Sequence, residues 1–450
     1  MSAKAHYRTT AIVLPDLPPE IWLSIFRLAT WSTDIFKPQL MVSMGTDPSY
    51  CGRLREFKRS LVSFTLFVFF WDDISPEFHK VTKRYLVRVC KAWYHYASPF
   101  LFEYVFLGKG RVLAPLRDGL LRSEHAVELK ELPHTIGWQT QRLDVHMRDR
   151  TDDRGLIMDI LADILRRLPN LRILTFKIIG HGYNTRDSYH IPENVLQATS
   201  ACRDTLKFLN WYGGVRPSSS GPSWASFLEN HPRLEAINAP VALTQLGNSH
   251  IVLNSLKSVY VHCSTHLPTS HAEDELWNIN LPNIRHATYD ITWTNASPTF
   301  TSHYNFLTKI GPNLTSIQIN YLKSCPVSDN ISLVFYRLFH RIVATCANLA
   351  RVNVAIYEWK IPIFFFFRST VHTLGISVNT YQVSKRSVDT FFRTVYDFLR
   401  RHPSLKTVCF TDQRNIQALR AHPHALSSGL ALITILDVNV MDHEGCPFKV

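Results

Sequence analysis

Eight cysteines, at positions 51, 90, 202, 263, 325, 346, 409 and 446, and 21 histidines are the side chains of this 450-residue chain best suited to hold a metal or attack a substrate. Their spacing supports neither chemistry. No C-x-x-C pair occurs and no two cysteines are close neighbours, so the chain has neither the ligand pattern of a zinc site nor the dense framework of a small disulfide scaffold. Cys90 and Cys346 stand among apolar neighbours and read as buried thiols of a reducing compartment. A hydrolase would carry a G-x-S-x-G elbow, a phosphate-transfer enzyme a glycine-rich cradle, and a zinc peptidase the H-E-x-x-H helix; the sequence contains none of them. Gly213-Gly214 lacks the lysine and helix of a phosphate loop and reads as a loop after a strand. Asp72-Asp73 and Asp152-Asp153 lie in turn-like stretches with no partner to raise a pKa. The expectation is a non-enzymatic chain with no catalytic residues, no metal and no cofactor.

The elements that could position a binding surface are more informative. A net charge of +13 eases contact with polyanions. The basic residues are dispersed along the sequence, however, and the densest group, Arg53, Arg55, Lys58 and Arg59, is interrupted by Glu56 in a loop-like stretch. The apolar runs Phe64 to Trp71 and Ile361 to Phe367 fall far short of the roughly 20 residues of a membrane-spanning helix. The start MSAKAHYRTT has no apolar core of a signal peptide, so the expected location is intracellular, cytoplasmic or nuclear, with no membrane contact. The N-x-S/T matches at Asn295, Asn313 and Asn330 are then chance occurrences.

In LPDLPPEIWLSIFRLATW the prolines and Glu20 suit a first helical turn, which predicts a helix from about Pro18. Ile21, Ile25 and Leu28 recur at i, i+4, i+7, with Trp22, Phe26 and Ala29 one residue on, a stripe wide enough to pack on two sides. A second helix is predicted over TKRYLVRVCKAWYHYA, with Leu86, Val89, Cys90 and Trp93 on one face. Together they predict a helical hairpin.

The pair LPPEIWLSIFRLA and LVRVCKAWYHYASPFLFEYVFL resembles the F-box-like module of a large receptor family expanded in mushroom-forming fungi. The resemblance implies docking on a Skp-type adaptor, which tethers the module to a cullin scaffold. Its adaptor-binding candidates are Leu17, Pro18, Ile21, Ile25, Leu28, Leu86, Val89, Cys90 and Trp93, although Ile25 and Trp93 could equally hold the hairpin together. The sequence departs from the family between the helices, over Trp31 to Val81. Joining Val62 to Val81 or Thr82 restores a continuous second helix, so residues 63–80 read as an insertion or translated intron.

From Pro99 onward one phrase returns: a helix breaker, an apolar residue, two variable residues, an apolar one, a variable one and an apolar one. Its best copies are LPNLRILTF, HPRLEAINA, LPNIRHATY, GPNLTSIQI and HPSLKTVCF, with others at Leu206, Leu256, Leu349 and Val371; PFLFEYVF at Leu101 resembles a first one. Steps of 22 to 35 residues scatter about the spacing of leucine-rich repeats. Amphipathic helices precede several copies, one over Leu156 to Leu168 and one over Val388 to Leu399. His231 and His402 precede the proline of a copy, where a polar role at a helix end suffices. Each unit then reads as helix, proline stop and short strand.

The fold expected is α/β: a short N-terminal helical F-box-like module over residues 14–100, then an irregular leucine-rich-repeat solenoid over 101–450 with parallel strands inside and helices outside. An ordinary doubly wound domain is the competing architecture. Strand alternation, with Leu174 and Phe176 inward, directs Thr175 and Lys177 to a concave wall. The same register adds Asn210, Tyr212, Asn238, Tyr260, His262, Thr288, Asp290, Gln318, Asn320 and Asn353. This wall carries little charge and fits a protein partner better than nucleic acid, with Tyr212 and Tyr260 as anchors. The function expected is the substrate receptor of a cullin-type ubiquitin ligase; the alternatives are a repeat scaffold without adaptor binding and a basic nucleic-acid-binding solenoid.

Overall fold

The computed structural model describes residues 17–30, 86, 88–108, 110–130, 134–147, 154–178, 189–211, 215–217, 221–238, 251–263, 279–292, 307–322, 340, 342, 344–356, 359, 367–378, 383–443 and 445–448. The proposed insertion at 63–80, most of both apolar runs, the basic group at 53–59 and Tyr212 lie outside these residues.

The strands in chain order are β1 (Tyr104–Leu107), β2 (Arg142–Met147), β3 (Ile173–Ile178), β4 (Tyr189–Ile191), β5 (Phe208–Trp211), β6 (Val215–Pro217), β7 (Ala236–Asn238) and β8 (Ile251–Val252). They continue as β9 (Ser258–Cys263), β10 (Ile279–Asn280), β11 (His286–Thr292), β12 (Ser316–Leu322), β13 (Arg351–Ile356), β14 (Thr373–Val378), β15 (Thr407–Phe410) and β16 (Asn439–Met441). Twelve of them form one sheet in the order β1-β2-β3-β5-β7-β9-β11-β12-β13-β14-β15-β16. Every pairing in that sheet is parallel. The strands follow chain order from one edge to the other. A doubly wound sheet needs a point at which its order reverses, and this one has none.

The recurring phrase accounts for the regularity. Its first apolar residue is buried in all nine copies from Leu171 to Leu405, and strand residues that follow at alternate positions, such as Leu174 and Phe176, join the same core. The residue after each anchor offers its carbonyl to the next turn: Arg172 O accepts from Lys207 N at 2.8 Å and from Phe208 N at 3.0 Å, a pattern kept to Lys406 and Asn439. The residue before the anchor ties neighbouring turns through its side chain. Asn170 Nδ2 donates to Trp138 O at 2.9 Å, Asn283 Nδ2 to Asn254 O at 2.7 Å and Asn348 Nδ2 to Pro312 O at 2.7 Å. Each turn is thus bonded to its neighbour before its strand begins.

Ten helices with bounded ranges accompany the sheet among the described residues. They are α1 (Pro19–Thr30), α2 (Lys91–Phe102), α3 (Leu113–Glu128), α4 (Ile136–Gln139), α5 (Arg154–Arg166), α6 (Glu193–Ala198), α7 (Gly221–Glu229), α8 (Lys385–Arg401), α9 (Gln413–Arg420) and α10 (Pro423–Thr434). The amphipathic stretches expected before β3 and β15 are α5 and α8, and α8 buries Val388, Phe391, Phe392, Val395, Phe398 and Leu399. Helical residues also precede β12, at 307–310, and β13, at 344–345. Before β9 and β11 the described residues hold the two-residue strands β8 and β10, which pair with each other in parallel. The rims are closed differently. Phe448 N donates to Val440 O at 2.8 Å, so the end of the chain folds back over β16 and blunts that edge.

Two expectations for the N-terminal region change. The second helix is not continuous: Leu86, Arg88 and Val89 are helical, but Cys90 is extended at φ −161°, ψ 172° and its Sγ accepts from Trp93 N, capping a new helix. Cys90 is half-buried, a capping thiol, and the fully buried thiol expected there is not found, whereas Cys346 is buried as read. The helix α2 then runs past residue 100, with Pro99 inside it, to Phe102.

Candidate functional site

The helix α1 divides into two faces. Trp22 and Phe26 turn toward α2, where Trp93 lies 5.5 Å from the Trp22 ring and 5.1 Å, edge-on, from the Phe26 ring. Trp93 therefore holds the two helices together. Ile21, Ile25 and Leu28 lie on the other side of α1, at i, i+4 and i+7, and are 46%, 41% and 79% exposed; Val89 beside the Cys90 break is 55% exposed. Pro18 is exposed and its carbonyl accepts from Ile21 N and Trp22 N, which starts α1; Leu17 and Leu86 are half-buried. Of the nine adaptor candidates, Ile21, Ile25, Leu28 and Val89 are apolar side chains open to a partner. The break at Cys90 separates Leu86 and Val89 from Trp93, so the single helical face expected for them does not form.

The wall candidates fall into register. Thr175, Asn210, Asn238, Tyr260, Thr288, Gln318 and Asn353 are successive ladder partners, one per strand. The next row carries His262, Asp290 and Asn320, and Lys177 occupies the equivalent place on β3. Those whose side chains are described lie on the sheet face opposite the apolar core, as alternation requires. Their depth corrects the expectation. Thr175, Asn210, Asn238, Tyr260, Thr288 and Asn320 are buried, Thr288 and Asn320 to 1% exposure, while Gln318 and Asn353 are half-buried. Alternation assigns a side but not a depth. Strands about 4.8 Å apart bring the side chains of one row shoulder to shoulder, where they screen each other.

Much of this row is bonded to itself. Asn238 Nδ2 donates to Asn210 Oδ1 at 2.7 Å, Gln318 Nε2 to Asn320 Oδ1 at 3.1 Å and Arg351 Nε to Asn353 Oδ1 at 3.0 Å. Toward β2 the row ends in a buried ion pair, with Arg142 Nη2 2.9 Å from Asp144 Oδ2 and Tyr104 Oη donating to the same oxygen at 2.7 Å. Between them lies a recess of about 20 Å³, room for a water-sized guest, lined by Asn210, Asn238, Tyr260 and Thr288 among others. Asn238 Oδ1 and Thr288 Oγ1 have no hydrogen-bond partner there. Tyr260 is a wall residue of this recess and not a protruding anchor.

The titratable groups are consistent with structural roles. His231 Nδ1 lies 2.6 Å from Phe227 O and Nε2 3.1 Å from Thr199 O; His402 Nδ1 lies 2.8 Å from Phe398 O, so both histidines sit on carbonyls at helix ends. Burial pulls both imidazoles below their usual range, against the opposing hydrogen bonds. Burial pushes the Cys202 thiol up to about 12 and the Cys346 thiol up to about 11, the reverse of what a nucleophile needs. Among the described residues no cluster of three metal-ligating side chains occurs, and no helix is long and apolar enough to cross a membrane.

Sequence reasoning missed the exposed Arg351 and His286, which stand nearer the strand starts on the wall's face, and the basic residues that follow the anchors. No family model matches the chain, and no curated protein matches it.

Proposed function

We propose that this chain is a non-catalytic substrate receptor of a Skp-cullin-F-box type ubiquitin ligase, built as an F-box-like helical pair followed by an irregular leucine-rich-repeat solenoid. The observation that carries the reading is the outward stripe of Ile21, Ile25 and Leu28, held open while Trp22 and Phe26 bind α1 to its neighbour. A folded protein gains little by presenting three apolar side chains on one helix face to water, and such a stripe suits a helix-binding partner. The strictly sequential parallel sheet suits the repeat array, because each unit is bonded only to its neighbours. The name of the adaptor rests on the sequence resemblance alone. A protein target would meet the exposed strand-start residues and the half-buried Gln318 and Asn353.

A second reading, a repeat scaffold that does not engage the adaptor, is favoured by the extended Cys90, which splits the helix that would complete the docking face. Affinity purification of the full chain with mass spectrometry separates the two. Recovery of Skp-type adaptor and cullin peptides supports the receptor; other proteins without them support the scaffold.

A further inference from the structure

The basic residues that are scattered in the sequence come together at the start of the sheet. The residue after each anchor is bonded through its carbonyl to the residue after the next, so Arg172, Lys207, Glu235, Lys257 and Arg285 form one line that continues to Lys406. From Arg172 to Lys406 it crosses eight strand steps, roughly 38 Å at about 4.8 Å each. Arg172, Lys257, Arg285 and Lys406 are exposed, Lys207 is partly so, and the exposed Arg351 adds a sixth cation one residue further in. The one carboxylate in the line is Glu235. Lys207 Nζ donates to its Oε1 at 2.8 Å and Lys257 Nζ to its Oε2 at 3.0 Å. Among the described residues, Arg172, Arg285, Arg351 and Lys406 make no ion pair.

We propose that this edge of the sheet binds an acidic polypeptide segment, its carboxylates seated between the row's cations as the chain's own Glu235 is seated between Lys207 and Lys257. Glu235 is the built example. Burial alone would raise its carboxyl, yet the two lysines outweigh burial and hold it below the usual range. Lys207 and Lys257 lie two strand steps apart, and the same two-step spacing separates Arg285, just before β11, from Arg351 on β13 and Arg351 from Lys406, just before β15. The field reaches neighbours as well: after burial, Arg351 and Arg285 are what depress His286. A single-stranded nucleic acid is the less suited polyanion, because such grooves add several aromatic faces for base stacking and, among the described residues, this line offers only the His372 imidazole. The inference is independent of what docks on α1.

The test is fluorescence anisotropy of the full chain with a labelled oligo-glutamate of about 12 residues, long enough to span the row, and with an oligothymidylate of equal charge. Binding of the glutamate probe is expected, weakening as salt rises. R285E/R351E/K406E should lose about tenfold or more, whereas K385E/R393E/R400E on the exposed face of α8 should keep the affinity. E235Q, which removes the line's one carboxylate and frees two lysines, should bind the probe severalfold more tightly, and it serves as the readout if the triple variant is unfolded by circular dichroism. No binding, equal loss in the α8 control, or unchanged affinity in E235Q would overturn the proposal. Tighter binding of the oligothymidylate would overturn it in favour of a nucleic-acid partner.

Discussion

Replacing Leu314 by alanine tests the packing logic of the array. Leu314 is fully buried and opens the turn before β12, between the strands β11 and β13. The change removes three carbon groups, worth about 2.4 kcal/mol at about 0.8 kcal/mol each. The surrounding turn is tight: a side chain on Gly311 would meet Thr345 O at 3.0 Å, so the backbone has little room to close over the hole. A cavity term is therefore added, and the expected cost is about 3 to 4 kcal/mol, within the range for buried leucines. Because each turn is bonded only to its neighbours, the loss should be local. Hydrogen exchange read by mass spectrometry should show faster exchange in β11, β12 and β13, with β1 to β3 and the α1–α2 pair unchanged. Uniform acceleration across the chain, or a cost under about 1 kcal/mol, would refute the reasoning and point to a single cooperative core.

The anchor position also predicts a gain. Thr140 occupies it before β2, buried with its Oγ1 unpartnered, so Thr140→Val should stabilise the β1 to β3 region by about 1 kcal/mol, read as slower exchange there; destabilisation would mean the hydroxyl has a partner. Gly429 on α10 lies against the Phe392 ring of α8, and an added Cβ would overlap it. Gly429→Ala should cost about 1 to 3 kcal/mol despite better helix propensity, with Phe392→Leu restoring part of the loss in urea melts; a neutral single variant contradicts the packing. His231, His286 and His402 all have depressed pKa values, so the unfolded chain binds more protons as pH falls below about 6.5. Stability is then fully present above that pH and lost as pH drops through the lower folded values. The urea midpoint should be lower at pH 5.5 than at pH 7.5, and His402→Gln should flatten the difference; a midpoint that rises on acidification reverses the sign.

The strands were legible in the sequence because a parallel sheet in chain order repeats one local pattern. An apolar anchor, two variable positions and alternating core residues recur from Leu171 to Leu405, and all nine copies became strands. The strand β2 was hidden because threonine replaces its anchor, and β16 because Asp437, at a positive φ of 55°, stands where the anchor would be. The side of each strand residue followed from alternation, but the burial of Thr288 and Asn320 depends on how closely rows pack, which no single strand encodes. The break at Cys90 was equally invisible: helical spacing is satisfied on both sides, and only the thiol's bond to the Trp93 amide marks the cap. The basic edge was the reverse case. Its signal, a cation directly after an anchor, was present in LPNLR, HPSLK and LPNIR, but irregular steps hid the alignment until register supplied it.

If the outward face of α1 is a docking surface, one titration shows it. Purified full-length chain, wild type and Ile21→Asp, is titrated against a purified Skp-type adaptor by calorimetry. Ile21 is exposed in the free chain, so the aspartate should leave stability unchanged, whereas in a docked complex it would bury a charge at a cost of several kcal/mol. Binding is expected for the wild type and a loss of at least about a hundredfold for Ile21→Asp, with equal urea midpoints for the two. Absence of wild-type binding, or equal affinities for the two proteins, would contradict docking on α1.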